Sequence, residues 1–353
     1  RIIRNNNIMS YTDLFSGKMY DFASPFEISV APNNVISNLN LFKIEHHQLN
    51  RIAIDTSIIS DNLTAPEQPA YAQSAWGTAR RPEFSTQLYG LRYVNSLNSV
   101  TSRDLEQYRS RQIPDVGDQI TLALADFSAA QYSQIQNSIE LALCEALLEL
   151  KQDSDYTDQG NLDFLAGGAK TQFTLDASDT ANIFEQLTQI NRIQSVTLGE
   201  GLAKQRRGMV ILAAGKAASA LRYHSSISQF MTYTLSVNNP DNFFTKVQTD
   251  NPGLESWQLN GVTVIDVTGI PSIASRIGAD GFVAIPLLDN NAFTLHSGVG
   301  TRHATQGKGA DLVHQYVVVD QQFGFPSICS ESSFLPFIPQ VVAQSIVFGS
   351  LSA

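Results

Sequence analysis

The sequence contains few charged residues and very few cysteines. Charged residues make up 16% of the 353 residues, against roughly 25% in ordinary soluble domains. Acidic residues outnumber basic ones by 33 to 23, which gives a formal net charge of −10 and disfavours a protein built mainly to grip nucleic-acid phosphates. Cys144 and Cys329, the two cysteines, lack the spacing of a metal or redox motif, which predicts a reducing compartment.

Long apolar runs and catalytic signatures are also missing. No stretch approaches the roughly 20 apolar residues of a membrane span, and the first ten residues lack the apolar core of a signal peptide. The sequence has no phosphate loop, nucleophile elbow, paired-histidine zinc motif or dinucleotide-binding glycine motif. We therefore expect no enzyme activity, no catalytic residue, no cofactor, no bound metal and no membrane partner, with synthesis in the cytoplasm.

The histidines are the residues that most invite a metal-site interpretation. His46 and His47 are adjacent, and His296, His303 and His314 fall within one stretch. Neither group has helical i, i+4 spacing or a nearby cysteine, which metal sites commonly use. The pattern therefore favours histidines at the surface or at subunit contacts, where they would make assembly sensitive to pH.

Two segments are too poor in apolar residues to fold by themselves. The whole chain is 43% hydrophobic, so it can bury a sizeable core, and its length suggests two or three structural units. Residues 1–40 carry scattered aromatics, Asn and Pro without a sustained period, which is typical of an arm. Residues 60–90 place Pro and Gly between short alternating pieces, which predicts a two-stranded ribbon. Both segments should lie on their own body or on a neighbouring subunit.

The clearest helix is predicted from Asp118 to Gln152. Its apolar residues are spaced by three and four, and they place Ile135, Ile139 and Leu143 on one buried face. The acidic residues of this segment are assigned to the other faces; they are Asp126, Glu140, Glu145 and Glu149. At about 1.5 Å per residue the helix exceeds roughly 40 Å, so it can serve as the backbone of the subunit.

The rest of the chain predicts a hairpin, a mixed α/β unit and a strand-rich end. The hairpin falls in residues 153–180. The α/β unit then has helices near 181–194 and 215–224 and strands at 209–214, 261–267 and 282–288. Three apolar segments after residue 313, the last of them VVAQSIVFGS, are predicted as strands. Pro336 and Pro339 fit an edge strand or a corner.

This order of arm, strand, ribbon, long helix, hairpin, α/β unit and returning strands resembles the Hong Kong 97-type fold of tailed-phage major capsid proteins. Three motifs carry the resemblance: DLF at 13–15, NLFKIEHHQLNRIAID at 40–55 and ESSFLPFIPQVVAQSIV at 331–347. They are similar to motifs of the family that includes the bacteriophage lambda head protein, major capsid protein E. The sequence departs from that family in its wealth of Asn and Gln and in a longer region around 225–260.

The resemblance implies an α+β fold with an N-arm, an extended loop, a peripheral domain built on a long spine helix, and an axial domain. The implied boundaries are 1–40 for the N-terminal arm, 41–55 and 96–180 for the peripheral domain with its spine helix, 56–95 for the extended loop, 181–290 for the axial domain, 291–336 for returning peripheral-domain strands, and 337–353 for a C-terminal strand.

The resemblance also implies a function. It predicts a major capsid protein that forms hexamers and pentamers of an icosahedral head shell around the double-stranded DNA of a tailed phage, made in the host cytoplasm and located in the virion. Further implied partners are a cement or decoration protein, a portal, a scaffold, and packaged DNA through non-specific contacts. The residues expected at contacts between subunits are Phe15, Phe22 and Phe26 of the arm and Trp76, Arg80, Arg81 and Phe84 of the extended loop.

Two other interpretations stay open at the level of sequence. An encapsulin-like nanocompartment shell would use the same fold but enclose protein cargo. A soluble, non-assembling module that binds a sugar or peptide ligand would explain the polar composition without any shell. Electron microscopy separates assembly from its absence, and the enclosed material separates a phage head from a nanocompartment.

Overall fold

The structure is a computed structural model of the 353-residue chain. The residues it describes are 34–49, 51–57, 84–110, 116–152, 162–227, 255–259, 261–289, 292–300, 311–319 and 324–352. Helices and strands both contribute large parts of these residues, so the predicted α+β class is confirmed.

The described helices and strands are as follows. The helices are α1 (Val35–Asn38), α2 (Ser102–Ser110), α3 (Val116–Cys144), α4 (Ile183–Ala203), α5 (Gly215–Tyr223), α6 (Pro271–Ile277) and α7 (Gln340–Ser345). The strands are β1 (Lys43–His46), β2 (Arg51–Ser57), β3 (Phe84–Gly90), β4 (Arg92–Ser99), β5 (Lys151–Gln152), β6 (Leu162–Asp163), β7 (Thr171–Leu175), β8 (Arg206–Ala213), β9 (Ser256–Leu259), β10 (Val262–Asp266), β11 (Gly281–Leu288), β12 (Thr294–Ser297), β13 (His314–Val319), β14 (Pro326–Phe337) and β15 (Val347–Leu351).

The first sheet is built around the long strand β14. Its strand order is β1, β12, β14, β13, and β4 pairs with the other edge of β14. The pairing of β4 with β14 ends at Arg92 opposite Phe334, so Pro336 pairs with Leu295 of β12 alone among the described strands. Proline lacks the N–H that a second neighbour would need. Pro336 therefore occupies a local edge, as the sequence predicts.

The long helix α3 packs on one face of this sheet. Ile135, Ile139 and Leu143 are buried there, as predicted. The predicted end of the helix at Gln152 is wrong by three residues: α3 passes into a π-helical turn at Glu145–Glu149, and Leu150 then takes a left-handed conformation with φ 57°. A left-handed residue cannot continue a right-handed helix. Gln152 instead pairs with Leu162 in the short β5–β6 hairpin.

The acidic residues of α3 do not all lie on exposed faces. Glu140 is only 8% exposed, and its carboxylate accepts hydrogen bonds from the backbone N–H groups of Ile36 at 2.7 Å and Ser37 at 3.0 Å and from the Ser37 hydroxyl at 2.6 Å. The position that Glu140 occupies is therefore covered by α1 and not open to solvent. A buried carboxylate is tolerated here because three donors surround it, and through it α3 holds α1.

The central strands of the second sheet, β8 and β11, are buried on both faces along most of their length. The strand order of this sheet is β7, β15, β11, β8, β10, β9. Along β8, Val210 and Leu212 belong to one apolar cluster, while Met209 and Ile211 belong to another on the opposite face. Strands covered on both faces are expected to be continuously apolar. The runs that predict strands at 209–214 and 282–288 have this property, and both strands are present.

Two segments differ from the sequence prediction. β7 pairs in parallel with β15 in the second sheet, although the predicted boundary at 180 places it with the peripheral unit. The valine-rich segment predicted as strand forms α7 instead, and β15 begins at Val347. Val342 and Ala343 are buried in the main core. This burial outweighs the intrinsic preference of valine for strands.

The two sheets share one continuous core near the end of α3. That core joins Leu147 of the π turn, Phe334 of the first sheet and Leu212 of the second. Beside it, Arg276 of α6 pairs with Glu149 at 2.5 Å and with Glu145 at 3.5 Å. Arg92 of β4 approaches Glu145 at 3.7 Å. The end of the spine helix therefore connects both sheets through apolar and ionic contacts, and Glu145 serves this junction instead of a solvent-exposed face.

Candidate assembly surface

Most of the residues that the sequence predicts at subunit contacts lie outside the described part of the chain. They are Phe15, Phe22, Phe26, Trp76, Arg80 and Arg81. Phe84 begins β3 and pairs with Ser57 through the backbone. The role of these seven residues in assembly stays a prediction.

The base of the predicted ribbon is an antiparallel pair. β2 and β3 pair from Arg51 opposite Gly90 to Ser57 opposite Phe84. Ile52 and Tyr89 are directly opposed and buried, whereas Leu88 on the alternate face is 57% exposed. Of this pair, β3 lies in the predicted ribbon, residues 60–90, whereas β2 precedes it. Residues 58–83 lie outside the described part of the chain, so the ribbon stays a prediction there.

The face of the first sheet that points away from α3 is partly open. Residues directly opposed on paired strands point to the same side of a sheet. Leu97, Cys329 and Tyr316 form one such row. Ser99, Ser327 and Val318 form the next. We call these six residues the open face.

Apolar side chains are accessible on the open face. Leu97 is 63% exposed and Val318 is 39% exposed, while Tyr316 and Cys329 are half-buried. The opposite face at this height carries Ile328, which is fully buried with Ile120 and Leu124 of α3. Adjacent apolar residues left exposed on a rigid sheet are typical of a surface that another chain covers.

The open face was not identified from the sequence. In RYVNSLNS, apolar residues fall on both phases of the alternation, and Leu97 shares its phase with Asn95 and Ser99. That break in the pattern is a usable signal, because an apolar residue on the polar phase of a strand is expected to be exposed. Val318 lacks such a signal, since it lies within the continuous run VVV.

Two histidines and a glutamate meet where β1 and β12 run in parallel. Glu45 lies opposite His296 in the register, and His47 directly follows β1. His47 Nε2 is 2.9 Å from His296 Nδ1, and Glu45 Oε2 is 3.8 Å from the same nitrogen. Each of the three residues thus directs one ligand-type atom to a common point, within 4.8 Å of the others.

The sequence predicts that the histidines of the two groups, His46 and His47 and the later His296, His303 and His314, lie at the surface or at subunit contacts. This prediction is wrong for His296 and His314. His296 is 7% exposed and His314 is 4% exposed. Burial, followed by the nearby His47, lowers the pKa of His296 to about 4, although Glu45 acts in the opposite direction. The ring is therefore neutral near pH 7. The sequence could not reveal this because β1 and β12 are far apart along the chain.

Within the described ranges, no helix is long and apolar enough to cross a membrane.

Two further buried titratable groups, Cys144 and Lys170, are held among structural contacts of the subunit. Desolvation raises the pKa of the Cys144 thiol to about 12, with the neighbouring Glu140 acting in the same direction. Burial lowers the pKa of Lys170, whose ammonium donates to the Leu148 carbonyl at 2.7 Å and lies 4.3 Å from the centre of the Phe348 ring.

Comparison with solved structures identifies the fold. A proposed prophage capsid protein of Escherichia coli CFT073 aligns with a TM-score of 0.52 at 9% identity, over 95% of this chain and 100% of its own. A chain from the capsid of cyanophage P-SCSP1u aligns with a TM-score of 0.50 at 8% identity, over 97% of this chain and 94% of its own. The chain has the Hong Kong 97-type capsid fold.

The Hong Kong 97-type fold predicted from the order of elements is thus confirmed. The likeness lies in structure, since no family model matches the sequence and no curated protein matches it either. In this fold the open face and the β2–β3 ribbon belong to the part of the molecule that contains the long helix.

Proposed function

We propose that this chain is the major capsid protein of a tailed phage, forming hexamers and pentamers of an icosahedral head around double-stranded DNA. The observation that carries the proposal is the end-to-end structural match: 95% of this chain aligns with 100% of the prophage capsid protein. The proposal places the protein in the virion after synthesis in the bacterial cytoplasm.

The surface chemistry supports assembly. A two-stranded ribbon is marginal without something to pack on, and Leu88 and Leu97 are more than half exposed. A neighbouring subunit that covers both sites would remove this apolar area from water, at roughly 25 cal/mol per Å². We propose that the ribbon of one subunit lies on the open face of the next.

The proposed domains follow the two sheets. The peripheral domain comprises the first sheet and α3, and the extended loop is the segment between the paired ends at residues 51 and 90. The axial domain comprises the second sheet with α4, α5 and α6, so it gains β7 and β15 relative to the boundaries implied by the sequence. Residues 1–40 keep the predicted role of an arm.

The charge of the chain limits how it can contact the genome. A net charge of −10 repels DNA on average, so we propose sparse, non-specific and dispersed DNA contacts. A portal, a scaffold and a cement protein are proposed as further partners. The subunit itself is proposed to have no enzymatic role.

Electron microscopy of the purified full-length chain tests the proposal. The expected result is closed shells with fivefold and sixfold clusters. Monomers alone at assembly concentrations would contradict the proposal and favour a soluble ligand-binding module. Particles purified from lysates of the natural host provide the second arm: double-stranded DNA inside supports a phage head, and a protein cargo without DNA would favour an encapsulin-like compartment.

A further inference from the structure

The Glu45, His47 and His296 cluster combines ligand atoms with a fixed support. His296 is buried, and Glu45 and His47 are half-buried. The backbone around them is held in place: His47 N–H donates to the Ser297 carbonyl at 2.7 Å, and β1 pairs with β12 from Lys43 to His46. The three side chains therefore project from backbone that is already ordered.

The two ring nitrogens of His296 face different partners. Nε2 is 3.2 Å from the Thr294 hydroxyl, whereas Nδ1 faces His47 and Glu45. An ion bound at Nδ1 would leave the proton of the neutral ring on Nε2, within reach of the Thr294 oxygen.

We propose that Glu45, His47 and His296 bind a divalent transition-metal ion of the Zn²⁺ class. Imidazole nitrogens suit Zn²⁺ and its neighbours in the first transition row, whereas Mg²⁺ and Ca²⁺ prefer sites made of oxygen alone. Three protein ligands leave the fourth tetrahedral position to water. With an ion on Nδ1, His296 Nε2–H would donate to the Thr294 hydroxyl oxygen 3.2 Å away, which is the kind of outer contact that orients metal-binding histidines.

The present distances are close to those that an ion requires. Zn–N bonds of about 2.0–2.1 Å at tetrahedral angles separate two ligand nitrogens by ~3.3 Å, and a nitrogen and an oxygen by a similar distance. His47 Nε2 and His296 Nδ1 are 2.9 Å apart, and Glu45 Oε2 is 3.8 Å from His296 Nδ1. Both distances to His296 Nδ1 are thus within about half an ångström of the required value, and the ligand atoms of Glu45 and His47, the two more exposed side chains, lie within 4.8 Å of each other. His47 would then carry its proton on Nδ1.

An ion at this position would secure the edge of the first sheet. β1 has four residues and pairs with β12 alone among the described strands. Two of the ligands lie on or directly after β1, and the third lies on β12. The ion would link the two strands across the sheet edge, so its expected effect is on stability and on the attachment of the segment that precedes β1.

Binding can be measured with Zn²⁺ and Co²⁺ and the purified full-length chain. Zn²⁺ at a hundredfold excess over its dissociation constant should raise Tm by about 4 °C. Co²⁺ should give the intense visible absorption of a tetrahedral site. His46→Gln is the matched control, because His46 is exposed and adjacent to the cluster; it should keep both signals. His47→Gln and Glu45→Gln should each lower the affinity at least tenfold.

The inference does not depend on shell formation, since the three ligands belong to one subunit. Circular dichroism of the metal-free variants shows whether they are folded. Because Glu45 and His47 are both only half-buried, the test can use whichever of the two variants folds. Absence of a Zn²⁺ shift and of tetrahedral Co²⁺ absorption in the wild type would overturn the proposal. Equal binding by wild type and a folded His47→Gln variant would also overturn it.

Discussion

The two sheets of this molecule bury their side chains in different ways. In the second sheet, alternate residues of β8 enter two separate apolar clusters, so both faces are covered by the chain's own elements. In the first sheet, Ile328 of β14 packs under α3, while Leu97, on the opposite face, is 63% exposed. One sheet completes its core within the subunit, and the other leaves apolar area for a neighbour.

This difference separates residues that hold the subunit together from residues that are available for assembly. A substitution at a buried position of β8 or β11 must act on folding, because both faces of these central strands are internal. A substitution on the open face can act on assembly while the subunit stays folded. The same chemical change made in each sheet therefore tests the distinction directly.

The largest effect is expected from Leu212→Asp. Leu212 is fully buried between the two sheets, and an unpaired carboxylate there would cost about 4 kcal/mol or more. A domain that is stable by roughly 5–15 kcal/mol would lose between about a quarter and most of that stability. We expect insoluble protein or a strongly lowered melting temperature by circular dichroism. A soluble variant with a wild-type melting curve would show that the second sheet is not the closed core described above.

Leu97→Asp makes the same change on the open face. Because Leu97 is mostly exposed, the free energy of unfolding should fall by about 1 kcal/mol or less, and the subunit should remain folded. A charge in the proposed contact should nevertheless prevent shell formation, measured by light scattering and electron microscopy. Normal shells from this variant would mean that the open face is not covered by a neighbouring subunit.

Glu140→Gln tests how α3 is fixed over the covered face of the first sheet. The amide cannot accept from all three donors that the carboxylate serves, so we expect a loss of about 1–3 kcal/mol, measured by urea unfolding. Glu106→Gln on exposed α2 is the matched control and should be neutral. If both substitutions have equal effects, the buried carboxylate does not anchor α1.

Much of the fold could be predicted because local pattern and final burial agree. The runs at 209–214 and 282–288 are continuously apolar, and both became strands buried on two faces. The spacing of Ile135, Ile139 and Leu143 indicated the buried face of α3. The order of these elements was enough to predict the capsid fold, which the comparison of structures confirmed.

The features that escaped prediction depend on contacts distant in sequence. The pattern of α3 gives no sign that Glu140 is buried, because the backbone groups that donate to its carboxylate belong to α1, 104 and 103 residues away. Likewise, Gln315 is buried because its amide bonds to Ser128 and Ser330 across the helix–sheet contact. The histidine cluster joins residues 249 positions apart. A periodic pattern of apolar residues within one segment carries no information about partners this far away in the sequence.

Thiol labelling gives the most direct test of the claim that the open face is covered in the shell. Cys329 belongs to that face and is half-buried, whereas Cys144 is buried in the subunit. A maleimide should label Cys329 in unassembled subunits, and the label should be lost in intact shells and in a Cys329→Ser control. Cys144 should stay unlabelled in both states. Equal labelling of Cys329 in subunits and in shells would contradict the account.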